Sequence, residues 1–118
     1  MPNRKYLCEY TEPYLDKDLK TSKNSTKTTY KNYVITLKQF LSYSSNKFRK
    51  VSDKIKASAL SFQLVFDFMT DTSKLKKWKP ATWNVRLAGI KAFVRYLSME
   101  DPWFIAVSYT HLTLPTKA

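Results

Sequence analysis

Apolar residues recur along 78–97, WKPATWNVRLAGIKAFVRYL, at steps of four, three, four and three: Trp83, Leu87, Ile90, Val94 and Leu97. That period lays one continuous apolar stripe on an α-helix. Pro80 stands where a first helical turn tolerates a missing N–H. A second stripe (Tyr30, Val34, Leu37, Leu41 and Ser44, widened by Tyr33 and Phe40) predicts a helix over about 26–44, capped by Ser25 or Thr26. A third helix is predicted over about 62–71, with Ser61 as its cap and Leu64, Val65, Phe68 and Met69 as its core side. Phe62 and Phe66 fall on its other side, so this helix is expected to be the central, buried one, the alternative being that its extra apolar face meets a partner. A shorter helix is predicted over 13–20, with Pro13 in its first turn and Asp16 and Asp18 near the positive end of its dipole. Residues 1–5 are expected to fray. Residues 44–58 read as a polar connector with at most a turn of helix, and 71–80 as a loop. The pattern defines an all-α domain of four to five helices.

Charge changes this picture. The 118 residues carry 21 Lys and Arg against 9 Asp and Glu, a net charge of +12. Such an excess costs self-repulsion and points to a polyanionic partner. The charge is also segregated. Eight cations and no acid lie in 19–52, and seven cations and no acid in 72–99. All nine acids fall outside those runs. Two acid-free segments either side of an acid-bearing one suggest two helices presented together to phosphate. At the start of the second helix, Lys27 and Lys31 share a face beside Thr26, Thr28 and Thr29. Hydroxyls, ammonium groups and free N–H groups there can grip a phosphate. Around the 78–97 stripe lie Lys79, Arg86, Lys91 and Arg95.

The run STKTTYKNYVITLKQFL, then ALSFQLVFDFM, then ATWNVRLAGIKAFVRYLSMEDP resembles the core-binding domain of tyrosine recombinases, the phage-integrase family. Thr26, Tyr30, Leu37, Phe40 and Leu41 match the first part of that pattern. Thr82, Asn84, Arg86, Leu87, Ala88, Ile90, Lys91, Phe93, Arg95, Tyr96, Leu97 and Pro102 match the second, more specific part. The likeness covers about 10–102. Trp83 departs from it, standing where members often carry Arg or an aliphatic residue, and its place on the stripe assigns it to the core. The resemblance implies a small orthogonal helical bundle of the SAM-like type, one half of a clamp around double-stranded DNA. It implies DNA contact for Thr26, Lys27, Lys31, Thr82 and Arg86, with Lys79, Lys91 and Arg95 on the phosphate flank or the seam to a following domain. It further implies a DNA-binding domain over 6–102, and other recombinase protomers as partners of the full-length protein.

The chemistry of strand exchange is not expected here. A Tyr nucleophile needs Arg, Lys and His partners to stabilise the phosphoryl transition state. In the family these lie in a second domain. His111 and Tyr109 have no such constellation around them, and no Gly-rich phosphate loop or metal-spaced Cys/His set occurs. No cofactor, metal, small-molecule substrate or membrane is expected, and the single Cys8 fits a reducing, cytoplasmic setting. Residues 103–118 read as the start of a linker plus a tail, SYTHLTLPTKA, that resembles translated adapter read-through; the natural protein is expected to continue past about Val107. Two other classes remain open: a free-standing DNA-binding or architectural module, and a helical adaptor for an acidic protein or membrane surface.

Overall fold

The computed structural model describes residues 2–15 and 27–105, with the side chain of Lys27 excepted. Among these residues there are four α-helices and no strand: α1 (Cys8–Pro13), α2 (Lys27–Phe48), α3 (Phe62–Lys76) and α4 (Pro80–Glu100). The all-α expectation is met. Two short 3-10 turns, at Ser52–Lys54 and Ala57–Ala59, lie between α2 and α3, and a third, Pro102–Phe104, follows α4. An isolated antiparallel bridge pairs Tyr6 with Lys56. The predicted caps at Ser25 and Thr26, and the reading of the tail, lie outside the described residues.

The 78–97 stripe is confirmed. Trp83, Leu87, Ile90, Val94 and Leu97 are all buried, Trp83 at 8% exposure. So is the α3 start, where the Ser61 hydroxyl accepts the Leu64 N–H at 3.1 Å. Leu64, Val65, Phe68 and Met69 line its core side as predicted. Aromatic rings knit the layers together, with Phe40 edge-on to Phe68 and Tyr14 tilted against Phe93, at centroid separations of 5.2 and 5.3 Å.

Several expectations are corrected. Helix α1 begins at Cys8 and holds Pro13 inside its last turn rather than its first. The carbonyl that a proline N–H cannot reach belongs to Glu9, and Arg4 Nη1 donates to it instead, at 2.5 Å. Residues 2–5 do not fray: Ala57 donates to the Lys5 carbonyl at 2.8 Å, and Asn3 N–H to Asp101 at 2.5 Å. Helix α2 runs four residues past Ser44, because Tyr43 and Lys47 are held to α3 by Asp71 (2.7 Å) and Asp67 (2.5 Å). Helix α3 likewise runs past Asp71 into the expected loop. Its Phe66 is 41% exposed, so α3 is not buried all round. The deepest residues of α2 are Thr36, Leu37, Phe40 and Ser44, while Tyr30, Val34 and Leu41 are only half-buried.

The shift in that stripe has one cause. Helices α2 and α4 make the most extensive helix–helix contact, and they meet where the buried Thr36 faces Gly89. A Cβ at Gly89 would stand 3.0 Å from Thr36 Oγ1 and 3.1 Å from its Cβ and Cγ2. The backbones therefore approach closely enough to draw Thr36 into the core. Its hydroxyl is satisfied within α2, donating to the Asn32 carbonyl at 2.8 Å.

A second polar centre closes the other end. The Asp101 carboxylate, 3% exposed, accepts from Asn3 N–H, from Tyr10 Oη at 2.9 Å and from Trp103 N–H at 3.0 Å. The Asn3 N–H is the main cause that holds its carboxyl below the ordinary carboxylate value.

Gly89→Ala is expected to lower stability by about 1–3 kcal/mol through overpacking, despite alanine's better helix propensity. Adding Thr36→Ala should recover part of that loss; urea denaturation of the three variants reads it. A depressed folded-state pKa at Asp101 supplies stability above the ordinary carboxylate value that is lost as pH falls through the folded value. Asp101→Asn should therefore melt lower at neutral pH and lose less stability than the parent on acidification below about pH 4.

Candidate nucleic-acid interface

From the Thr36–Gly89 contact, both helices run toward their N-termini on the same side. Asn32 lies one turn back along α2; Arg86 and Thr82 lie one and two turns back along α4. These side chains, with Ala81 and Val85, line a cavity of about 190 Å³. It sits beside the first turn of α4, whose start at Lys79 has no side-chain cap. Among the described residues no carboxylate lines it.

The electrostatics centre on Arg86. Its side chain is half-buried, and its Nε and Nη1 are sealed from solvent with no hydrogen-bond partner among the described residues. Burial pushes its guanidinium below the ordinary arginine value. An unpaired buried donor costs about 1–3 kcal/mol, more when charged, so such a group calls for an explanation in function.

The structure brings some predicted residues together and separates others. Thr82 and Arg86 meet in the cavity. Lys31 precedes Asn32 and is exposed, and Lys79 is exposed at the start of α4. Thr26 and the side chain of Lys27 lie outside the described residues. Lys91, half-buried, and Arg95, exposed, belong elsewhere on α4. At 100° per residue they stand about 140° and about 180° around the helix from Arg86. Arg86 itself is not displayed on the surface as the sequence suggested, but tucked toward α2.

Asn32 was missed. Its signal was its place one turn before a threonine in an otherwise apolar stripe, legible only once Thr36 is known to be buried. Two larger hollows, each about 300 Å³, lie by residues 2–5 with Lys56 and Ser58, and by Lys38, Leu41, Ser42, Ser45, Asn46 and Ser52. Neither is lined by an unpartnered buried polar atom. Among the described residues no group of His, Cys, Asp and Glu could hold a metal ion, and no helix is long and apolar enough to cross a membrane.

Comparison with known proteins adds one similarity. Over 111 residues, 94% of this chain, the sequence is 26% identical to the Sinorhizobium fredii protein named "Putative integrase/recombinase y4rD". The chain spans 40% of that relative's length. The similarity supports a distant relationship to the recombinase family. No protein-family model and no solved structure matches the chain.

Arg86→Met keeps the aliphatic stem and removes the orphaned donors. It is expected to raise the unfolding free energy by about 1 kcal/mol, seen as a higher urea midpoint at unchanged slope. A lower midpoint would mean that these nitrogens are paired in solution.

Proposed function

We propose that this chain is a DNA-binding module of a site-specific tyrosine recombinase: its core-binding domain, of the SAM-like type, one half of a clamp on double-stranded DNA. The observation that carries this reading is the cavity at the α2–α4 junction. There, Thr82 and Arg86 of the motif that resembles the family meet Asn32, with no carboxylate in the lining among the described residues. The net charge of +12 and its segregation onto the sequence runs that contain α2 and α4 support it. So does the similarity to a protein whose printed name is integrase/recombinase.

In this reading the residues divide by role. The exposed Lys31 and Lys79 neutralise backbone phosphates and supply affinity that carries no sequence information. Arg86, Thr82 and Asn32 hold a fixed position against the DNA. Lys91 and Arg95, on other sides of α4, face a neighbouring segment or protomer. Cleavage and joining of strands belong to residues outside this chain, in the longer protein of which the relative is an example.

A gel-shift titration of duplex DNA across a salt series tests the proposal. Affinity should fall linearly on logarithmic axes as salt rises, with a slope of about −0.9 per phosphate contact. Lys31→Ala and Lys79→Ala should each make that slope shallower by about one contact. Arg86→Ala should weaken binding with the helical circular dichroism unchanged. Absence of duplex binding at low salt would refute the reading. So would an unchanged slope in both lysine variants, and a covalent protein–DNA adduct would contradict the division of labour.

A further inference from the structure

We infer that the Asn32–Thr82–Arg86 cavity is a socket for a single tetrahedral oxyanion, a phosphate or sulfate group, which it captures by turning Arg86. The inference deepens the nucleic-acid reading and rests on it only for the natural source of the oxyanion, a backbone phosphodiester rather than a free ion.

Space and donors fit such a ligand. The cavity, about 190 Å³, has about six times the liquid volume of a water molecule, room for a group of five heavy atoms. Its lining offers the Thr82 hydroxyl, the Asn32 amide and the Arg86 guanidinium, and among the described residues no carboxylate lines it. The N–H groups of Ala81 and Thr82 belong to the first turn of α4, where a helix has no internal acceptors. Lys79 supplies no side-chain cap to that turn.

Arg86 provides the driving force. Water reaches neither its Nε nor its Nη1, and neither has a partner among the described residues. An oxygen acceptor meets these nitrogens only when the side chain turns into the adjoining cavity. That turn replaces unpaired donors with charge-assisted hydrogen bonds to the oxyanion. A lysine on the open surface gains much less, because its ammonium group is already hydrated. The socket therefore binds by position, whereas the exposed lysines bind by charge alone.

Sulfate titrated into the free chain at constant ionic strength, with chloride making up the balance, tests this by nuclear magnetic resonance. Shifts should saturate and centre on the Asn32 side-chain amide, the Thr82 N–H and the Arg86 Nε–H. Arg86→Gln should weaken sulfate binding by about tenfold or more, and Lys74→Ala should leave it unchanged. Shifts that rise without saturation and scatter over the lysines would mean general screening and overturn the socket. In the duplex arm, sulfate should compete with DNA for the parent chain and lose that effect in Arg86→Gln. Duplex binding without saturable sulfate binding overturns the socket and leaves the nucleic-acid reading standing. Saturable sulfate binding without duplex binding does the reverse.

Discussion

The close approach of Thr36 and Gly89 is the constraint on which the rest of this domain depends. Glycine within a helix costs about 1 kcal/mol relative to alanine, and Gly89 is the only glycine in the chain. The cost is offset by the contact it permits: a methyl group there would lie 3.0 Å from a buried hydroxyl. With the backbones that near, α4 presents Gly89 and Phe93 to the core on the same side as Thr82 and Arg86. The cavity is the space left where the two helices part beyond the contact. Spending the sole glycine here has a further effect. The left-handed positions after α2 and α3 fall to Arg49 (φ 55°) and Lys77 (φ 52°), residues that adopt that conformation less readily.

Elements with a strong period and a chemical boundary were readable from residues alone. The α4 stripe, the Ser61 cap and the core side of α3 all follow from local rules that burial then reinforces. What escaped depends on partners distant in sequence. Helix α2 continues past Ser44 because acids on α3 hold Tyr43 and Lys47, and the α2 segment alone carries no sign of those acids. Helix α1 accommodates Pro13 because Arg4 reaches the Glu9 carbonyl, so the usual inference from a proline to a helix start failed. Thr36 in the core is intelligible only with Gly89 against it.

The candidate site was half legible for the same reason. Residue type and spacing selected Thr82 and Arg86, and α4 places them together. Spacing on one helix did not reveal that Arg86 leans toward α2, nor that Asn32 completes the lining. Lys91 and Arg95 share the motif with Arg86 but not its side of the helix, a distinction that helical geometry makes and a linear pattern does not. The two buried, unpaired nitrogens of Arg86 also explain why the site resists a purely structural account: a domain selected for stability alone would gain by replacing them.

Asp101 joins parts of the chain that are far apart in sequence. One carboxylate holds residue 3, the ring of Tyr10 and the turn that follows α4. Mechanically it is a clasp. A pull arriving along the backbone from beyond residue 105 meets Asp101 and the buried Phe104 before it reaches the α4 hydrogen-bond ladder. Tension there would open the clasp and release Asn3 from Asp101, while Lys5 stayed tied to Ala57 and α2, α3 and α4 kept their packing. The Asn32–Thr82–Arg86 cavity, built at the opposite end of α4, is thereby insulated from strain applied at this one.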